Sequence, residues 1–517
     1  MPLRASLSLV FIAGLLQAAS ITTPWDGASA GWLQLLSMGV LVWQIGRVNG
    51  PRHAGWLGWT FATAWLSGTF WWLFVAMHTY GGLAAWLTVV AVLALAGLLA
   101  LYYAAACMAF AAWAPGNPVG AAALFAAVWM LAELARGVWF TGFGWGAVGY
   151  AHIDGLARAA RFIGAYGIAA LVAWIAFLGA AGLRHFRHPA GYASWLLAGV
   201  TAALMAWSPG NFTVSSGFLR VGLLQGNIAQ DEKFQAGSGV ADALRWYGDE
   251  LGRAGADLVV APETAIPLLP QQLPDGYWAG LQQRFDTGSR AALLGIPLGS
   301  LSAGYTNSVV ALTGSAHRVG DIGLYRYDKH HLVPFGEFIP PLFRWFTELM
   351  AIPLGDFNRG AVGQPSFQWQ GQRLAPNICY EDLFGEELGA RFLDPAVAPT
   401  IFVNVSNIAW FGDTSAIGQH RNISRMRALE FDRPFIRATN TGDTVIIDHT
   451  GRVTHALPRH TRGILVGDVE GRSGTTPFAW WVSRWGLAPY WLSGVFVVLV
   501  CVVVHRRGRP GGLSARA

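Results

Sequence analysis

Long apolar segments fill most of the first 207 residues of the chain. Between His53 and Ala132 there is no Asp, Glu, Lys or Arg over 80 residues, whereas roughly 20 apolar residues are enough to cross a bilayer core. This stretch therefore predicts several membrane spans. Glycines, prolines and isolated charges divide the apolar pattern into eight predicted spans, near residues 5–22, 31–46, 55–76, 83–112, 118–135, 160–183, 191–207 and 488–504.

From Phe218 onward, short β-branched runs alternate with charged, helix-like stretches. Such alternation over about 250 residues favours a single α/β domain. We therefore predict seven spans in residues 1–210, an extramembrane domain in 211–483, and a last span with a basic tail in 484–517. The predicted strands are Leu219–Leu224, Leu258–Ala261, Ala292–Ile296, Ser308–Leu312, Leu374–Cys379, Thr400–Val405, Phe435–Thr439, Thr444–Ile447 and Ile464–Val466; the predicted helices are about 240–254, 276–286 and 415–431.

Composition favours a membrane protein and excludes other classes. Hydrophobic residues make up 53% of the chain and charged residues 12%, against about 25% charged in soluble domains. This excludes disorder and argues against an ordinary soluble protein. The net charge of +6 does not indicate binding to a polyanion, because the predicted extramembrane domain, residues 211–483, holds 22 Lys+Arg against 26 Asp+Glu. We expect no nucleic-acid partner.

Arginine positions predict the orientation of the spans. With eight spans, four arginine groups fall on one side, which the positive-inside rule assigns to the cytoplasm. The predicted domain then lies on the outer face. Residues 1–20 also resemble a cleavable signal peptide, which would enter the membrane in the same orientation. The four groups are Arg4; Arg47 and Arg52; Arg184 and Arg187; and Arg506, Arg507 and Arg509.

Three polar residues stand where α/β sheets present their functional groups, at or beyond strand ends. Glu263 and Cys379 each close an apolar run that is predicted to be a strand, and Lys329 lies between them in the chain. Lys329 and Lys233 are the only lysines among 35 cationic residues. Taken singly, each group has an ordinary explanation as a surface charge or a small buried hydrophobe.

Together these residues supply the parts of thiol acyl transfer. A thiol with a pKa of about 8.5 is a good nucleophile only when ionised, so it needs a base or a nearby cation. Glu263 suits the base, and the compact ammonium of Lys329 suits the thiolate and the later oxyanion. Backbone N–H groups after Cys379 would complete an oxyanion hole. The other cysteines, Cys107 and Cys501, lie in apolar spans, and three cysteines are too few for a disulfide framework or a Cys-based metal site.

The chain resembles the nitrilase superfamily, whose catalytic set is Glu, Lys and Cys in that order on an αββα sandwich. With the membrane spans included, the resemblance covers essentially the full chain and narrows to the apolipoprotein N-acyltransferases. The motifs that carry it are Pro262-Glu263-Thr264-Ala265, the segment from Lys329 to Phe338, Cys379-Tyr380-Glu381, the segment from Asn404 to Asp413, and Arg437-Ala438-Thr439-Asn440-Thr441-Gly442.

The resemblance implies catalytic roles for Glu263, Lys329 and Cys379 and supporting roles for three further residues. Glu337 matches a second glutamate that orients Lys329 and the base. Tyr380 and Glu381 match residues beside the nucleophile that the family also needs.

The resemblance also has departures near the predicted substrate contacts. Phe234 stands where a Trp is usual, so an aromatic wall is kept while an indole N–H donor is lost. Ile408 replaces a common Asp, so we assign that loop no chemistry. Phe234, Trp410 and Arg136 are the predicted substrate-binding residues, Arg136 as a partner for a phospholipid phosphate.

The implied reaction joins two lipids at a bacterial inner membrane, on its periplasmic face. A phospholipid would donate its sn-1 acyl chain to Cys379 as a thioester, and the chain would pass to the α-amine of the diacylglyceryl-cysteine of a lipoprotein. No cofactor or metal is expected. Three alternatives stay open: a membrane-tethered amidase with water as acceptor, a transporter in which Cys379 is inert, and a Cys–His enzyme that uses His330 or His331.

Overall fold

The computed structural model describes residues 3–507, apart from 26, 208–209, 211, 287, 301, 315–324 and 340–356. The chain forms two compact units, one comprising Met1–Trp71, Val90–Pro209 and Leu487–Ala517, the other Trp72–Val89 and Gly210–Gly486. The segment Trp72–Val89, which lies inside the predicted region 1–210, thus groups with the second unit. The predicted basic tail beyond residue 507 lies outside the described residues.

The helices in the described part of the chain agree with the apolar pattern. Each predicted span overlaps one of helices α1–α7 or α13. In chain order the helices are α1 (Leu3–Ile21), α2 (Gly31–Ile45), α3 (Pro51–Phe70), α4 (Ala85–Trp113), α5 (Pro118–Val138), α6 (Ala160–Arg184), α7 (Pro189–Ala206), α8 (Ala241–Arg253), α9 (Tyr277–Gln283), α10 (Gly385–Gly389), α11 (Ser415–Phe431), α12 (Pro477–Trp485) and α13 (Ala488–Arg507).

Six of these helices, α1, α4, α5, α6, α7 and α13, are long and apolar enough to cross a membrane among the residues described. Helix α2 is apolar but has only 15 residues. The count of eight spans therefore stays a prediction.

Local sequence explains the start of α5. Asn117 accepts a hydrogen bond from the backbone N–H of Gly120, and Pro118 occupies the first helical position.

Small residues let the helices of the first unit approach closely. A Cβ added at Gly14 of α1 would lie 2.3 Å from the carbonyl oxygen of Phe61 in α3, and one added at Gly58 would lie 2.6 Å from Sγ of Cys107 in α4. Since real Cβ atoms never come so near, a side chain at either glycine would push the helices apart. Cys107 is thus a packing residue, as its apolar surroundings predict.

Among its described residues, the second unit contains two six-stranded sheets, in the orders β12-β1-β2-β3-β4-β5 and β11-β10-β9-β8-β7-β6. Strands β1, β2 and β3 run parallel to one another, as do β7, β8 and β9. The strands are β1 (Thr213–Gln225), β2 (Leu258–Val260), β3 (Ala291–Ser300), β4 (Gly304–Leu312), β5 (Arg326–Asp328), β6 (Phe367–Trp369), β7 (Gln372–Ile378), β8 (Ile401–Ser406), β9 (Phe435–Thr439), β10 (Val445–Ile447), β11 (Val453–Ala456) and β12 (Gly463–Gly474).

The two sheets share one apolar core, to which both contribute fully buried aliphatic side chains such as Leu223 and Val403. Helices α8 and α9 cover the outer face of the first sheet with residues that include Leu251 and Leu281. Helix α11 covers the second sheet, where Phe431 packs on Phe402 of β8. The unit is therefore the αββα sandwich that the resemblance predicts.

All nine predicted strands and three predicted helices of this unit correspond to observed elements. The pattern missed the short strands β5, β6 and β11 and helices α10 and α12. Strand β5 matters for the site, because it is antiparallel to β4, which is antiparallel to β3. Strand β5 therefore ends at the same edge of the sheet as β2.

Candidate active site

Glu263 follows β2 with its side chain buried at the carboxyl edge of the first sheet. Its Oε1 accepts a hydrogen bond of 2.7 Å from Asn307 Nδ2 and one of 3.3 Å from Lys329 Nζ. Its Oε2 accepts one of 2.8 Å from the backbone N–H of Asn407. The carboxylate is thus held in one orientation by three donors.

Lys329 follows β5 and is fully buried between two carboxylates. Its Nζ lies 2.9 Å from Oε1 of Glu337 and 3.3 Å from Oε1 of Glu263. Asn307 on β4 bridges the same two oxygens, donating over 2.7 Å to Glu263 and 2.8 Å to Glu337. The sequence did not single out Asn307; the only signal was a polar residue within an apolar strand.

Charge pairing decides the ionisation of these groups. Burial raises the pKa of Glu263, but Lys329, Asn307, the Asn407 N–H and Lys233 together hold that pKa below its usual value. Burial lowers the pKa of Lys329, yet Glu337 and Glu263 raise it well above its usual value. The resting site therefore contains an ionised Glu263 and a permanently charged Lys329.

Cys379 stands directly after β7, at a backbone turn with a φ of 56°. Positive φ is uncommon for a residue with a Cβ. The surrounding bonds hold it there: the Cys379 carbonyl oxygen accepts from Asn404 Nδ2 over 2.8 Å and from His420 Nε2 over 3.2 Å. Ser406 Oγ lies 3.5 Å from Sγ. Cys379 is a partly buried residue at this turn, and its thiol forms no disulfide.

The thiol of Cys379 is protonated at neutral pH. Burial raises its pKa to about 12, and Glu263 adds to that rise, while Lys329 and the Ser406 hydroxyl oppose it. A thiol in this state needs a base at the moment of attack. The ionised Glu263 carboxylate can act as such a base, and Lys329 can supply a fixed positive charge for a developing oxyanion.

Glu381 ties together the segments that carry Lys329 and Cys379. Its Oε1 accepts from the backbone N–H groups of His330 and His331, at 2.7 and 3.1 Å. Its Oε2 accepts from the Tyr327 hydroxyl at 2.8 Å and the Ile378 N–H at 2.7 Å. Glu381 thus fastens the chain beside the nucleophile to the chain beside the cation.

Tyr380 is buried next to these groups. Its hydroxyl donates over 2.7 Å to the carbonyl oxygen of Leu332, and Lys329 Nζ lies 5.9 Å from the centre of its ring. The structure therefore brings together Glu263, Lys329, Glu337, Cys379, Tyr380 and Glu381, the predicted catalytic and supporting residues.

Comparison with known proteins decides the family. Residues 13–178 match the apolipoprotein N-acyltransferase N-terminal domain, and residues 220–477 match the carbon-nitrogen hydrolase family. The chain is 57% identical over 510 residues to the apolipoprotein N-acyltransferase of Verminephrobacter eiseniae, covering 93% of each chain. The chain belongs to the apolipoprotein N-acyltransferase family. Its counterpart in Ralstonia nicotianae is 43% identical over 487 residues, 92% of this chain and 90% of the other.

Solved structures resemble the acyltransferase only distantly. An amidase from Nesterenkonia sp. is 17% identical to this chain, with a TM-score of 0.37. The match covers 55% of this chain and 100% of the amidase chain. No conclusion about the acyltransferase depends on this likeness. The family assignment confirms the resemblance found in the sequence and establishes an acyltransferase.

A buried polar network behind Cys379 was not predicted. His420 Nε2 lies 3.0 Å from Asp382 Oδ1 and 3.2 Å from the Cys379 carbonyl, and Arg437 Nη2 lies 3.0 Å from His420 Nδ1. Arginine can only donate, so Nδ1 accepts and Nε2 carries the proton. Burial and Arg437 lower the pKa of His420, so a neutral imidazole holds the nucleophile turn. Arg437 lies in a quoted motif, but its partners are far apart in sequence.

His330 and His331 make contacts other than those of a thiol base. His330 Nδ1 lies 2.7 Å from the carbonyl oxygen of Gly360. His331 Nδ1 lies 2.9 Å from Glu387 Oε1, and its ring stacks on Phe384 with centroids 3.5 Å apart. These contacts give neither ring the role that the Cys–His alternative requires.

The loop that carries Ile408 orients the Glu263 carboxylate, although the sequence assigned this loop no chemistry. The preceding Asn407 donates its N–H to Glu263, and its side-chain nitrogen donates over 2.9 Å to Gln230. Backbone contacts of this kind leave no residue-specific signal. Ile408 itself is buried.

The predicted substrate-binding residues Trp410 and Phe234 lie in the second unit of the acyltransferase. Trp410 packs edge-to-face against Tyr80, with ring centroids 5.9 Å apart. Phe234 is 37% exposed and follows Lys233, a buried residue whose Nζ donates over 3.1 Å to the Glu263 carbonyl oxygen. Their contact with substrate stays a prediction.

Arg136 lies in a different environment from the outer loop that was expected. It is 1% exposed in the last turn of α5. Its Nη1 donates over 2.7 Å to the carbonyl oxygens of both Phe143 and Trp145, and its Nε donates over 2.9 Å to the Tyr103 hydroxyl. These bonds hold the chain that follows α5, so the geometry argues against the predicted phosphate contact.

Proposed function

We propose that this acyltransferase moves the sn-1 acyl chain of a membrane phospholipid to the N-terminal α-amine of the diacylglyceryl-cysteine of a lipoprotein, through a thioester on Cys379. One observation carries the proposal: an ionised Glu263 and a charged Lys329 share one hydrogen-bonded cluster, and both lie close enough to Cys379 on the other sheet to act on the pKa of its thiol. Family membership supplies the acyl transfer and the lipoprotein acceptor.

The first half-reaction forms the thioester. Glu263 takes the proton from Cys379 as sulfur attacks the ester carbonyl, and Lys329 with N–H groups at the start of the Cys379–Leu383 turn stabilises the oxyanion. The ester C–O bond then breaks. Glu263 gives its proton to the departing lysophospholipid oxygen, so the base ends this step ionised.

The second half-reaction transfers the chain. The lipoprotein amine attacks the thioester carbonyl, the C–N bond forms, and the C–S bond breaks. Glu263 takes a proton from the attacking nitrogen and returns it to the Cys379 sulfur. In both steps Glu337 and Glu381 are positioning residues, since their bonds go to Lys329 and to the chain beside it.

The membrane placement follows the arginine pattern. Eight spans with a cytoplasmic basic side place the domain of residues 211–483 on the periplasmic face of the inner membrane. Both substrates are anchored in one leaflet, so the domain has to reach only the bilayer surface. Phe234 and Trp410 would contact the acyl chain or the diacylglyceryl group there.

An amidase with water as acceptor would use the same Glu263, Lys329 and Cys379. No observation on the described residues favours water over an amine, and family membership favours the amine. The two activities differ in what discharges the thioester. Only the acyltransferase requires an amine for turnover.

Mass spectrometry of the purified protein tests the proposal. Incubation with a phospholipid of defined sn-1 chain should add the mass of that acyl group to Cys379, and a diacylglyceryl-cysteine peptide should remove it. Glu263→Gln should form no adduct, and Cys107→Ala should behave like the unchanged protein. Full lipoprotein N-acylation by Cys379→Ala would overturn the proposal.

A further inference from the structure

Lys233 is one of only two lysines in the chain, and it lies beside the catalytic base. It is 1% exposed, and its Nζ donates over 3.1 Å to the backbone carbonyl oxygen of Glu263. Lys329 contacts the side chain of the same residue. The two lysines therefore reach Glu263 from its main chain and from its carboxylate.

The two ammonium groups differ in how readily they release a proton. Burial lowers the pKa of Lys233 to about 7, and the nearby Glu263 after β2 and Cys379 after β7 only partly oppose that fall. Lys329 is paired with two carboxylates, which raise its pKa. Near neutral pH, Lys233 thus exchanges its proton while Lys329 keeps its own.

Proton balance separates the two half-reactions of the proposed function. Thioester formation moves one proton from the thiol to the lysophospholipid oxygen and leaves none over. The acceptor has an α-amino pKa of about 8 and arrives largely as an ammonium. An ammonium and a thioester give an amide, a thiol and one further proton. Glu263 returns one proton to sulfur, so the other needs a second acceptor.

We propose that the neutral amine of Lys233 accepts the second proton of the incoming lipoprotein ammonium. The inference rests on the proposed function, since it assumes a Cys379 thioester. The buried position of Lys233 beside Glu263 places a second base at the site without displacing the first. Nζ takes the proton as the ammonium becomes a nucleophilic amine, and it releases that proton to water before the next turnover.

A purely electrostatic or packing role of Lys233 would give a different experimental result. A cation that only supports the charge of Glu263 would act in both half-reactions, and arginine would replace it. A proton acceptor would act in the second half-reaction alone. Arginine cannot replace such an acceptor, because it stays protonated at any workable pH.

The test measures the half-reactions separately in Lys233→Gln and Lys233→Arg. Thioester formation from phospholipid is followed by mass spectrometry, and single-turnover transfer to a diacylglyceryl-cysteine peptide is followed from pH 6 to pH 9. Because Lys233 contributes least among the groups that lower the pKa of Glu263, we expect both variants to form the thioester within about threefold of the unchanged rate. At pH 7, where about a tenth of an amine with a pKa of about 8 is neutral, their transfer should fall about tenfold, and it should recover by pH 9, where the acceptor is already neutral.

Hydroxylamine, which is neutral at pH 7, provides a second acceptor that has no extra proton to lose. Both variants should transfer to it at near-unchanged rates. Arg253→Gln, on an exposed side chain, serves as the control. Normal transfer by Lys233→Arg, or an equal loss in both half-reactions, would overturn the inference. Absence of a thioester in the unchanged protein would instead overturn the proposed function.

Discussion

Asn307 donates a hydrogen bond of 2.7 Å from Nδ2 to Oε1 of Glu263. The same nitrogen donates to Glu337 over 2.8 Å, so one neutral amide bridges the two buried carboxyl groups that flank Lys329. A single ammonium has only three protons to donate and cannot fill every acceptor site of two carboxyl groups. The amide fills further acceptor sites on these largely buried oxygens, which would otherwise cost free energy.

Replacing Asn307 should weaken Glu263 as an anion. Asn307 lowers the pKa of Glu263, so Asn307→Ala should raise that pKa and move the acid limb of thioester formation to higher pH. We expect at least a tenfold loss below the new pKa, with recovery as pH rises. The pH profile of adduct formation on Cys379 measures this. Asn358→Ala, at an exposed position, should leave the acid limb in place; a pH-independent loss in Asn307→Ala would contradict the argument.

Glu381 should be important for stability as well as for rate. Its two oxygens accept four hydrogen bonds, three of them from backbone N–H groups. In Glu381→Gln the new NH₂ group would face the N–H and O–H donors that now bind the carboxylate. We therefore expect the free energy of unfolding to fall by about 2–4 kcal/mol and thioester formation to become slower. Thermal unfolding in detergent measures the loss, with Glu250→Gln, at a partly exposed carboxylate of α8, as the control. Unchanged unfolding would show that these bonds do not hold the site.

The sequence singled out Glu263, Cys379 and Lys329 for two different reasons. Glu263 and Cys379 follow buried runs, and Lys329 is a rare residue type in this chain. Asn307 and His420 lie within a strand and a helix, where a single polar residue does not reveal its partner. Their partners come from distant segments, so only the fold brings them together.

Hydrophobicity also failed to assign Trp72–Val89 to the unit in which it packs. The pattern places these residues among membrane spans, yet Trp72 packs on Phe411 and donates over 3.0 Å to Gln419. An apolar side chain looks the same in sequence whether lipid or protein covers it. Strand β5 was missed for a different reason, since three residues are too short for an alternating pattern to appear.

The histidine network behind Cys379 should matter more than the histidines beside Lys329. His420→Ala removes a hydrogen-bond donor to the Cys379 carbonyl oxygen and takes away the imidazole that binds Asp382 and Arg437. The Cys379 turn, with its positive φ, therefore loses support. We expect kcat to fall at least tenfold with little change in KM. His330→Ala and His331→Ala should keep substantial activity. Steady-state transfer to a lipoprotein peptide compares the three variants, and complete loss in His330→Ala would favour the Cys–His alternative.

Chemical labelling should separate the electrostatic effect of Glu263 from its action as a base. Burial and Glu263 together raise the pKa of the Cys379 thiol, so iodoacetamide should label it slowly at pH 7 and faster as pH rises to 9.5. Glu263→Gln removes the negative charge that raises the pKa of the Cys379 thiol, while Lys329 still lowers it. The pKa of the thiol should therefore fall in this variant. Labelling at pH 8 should then speed up several-fold.

The same substitution should abolish thioester formation, because no base remains to take the thiol proton and return it to the leaving oxygen. Reactivity toward iodoacetamide and toward phospholipid would thus change in opposite directions. A Cys107→Ala/Cys501→Ala background leaves Cys379 as the only thiol to be counted. Parallel loss of labelling and acylation would mean that the resting thiol is ionised by Glu263, against the raised pKa of Cys379.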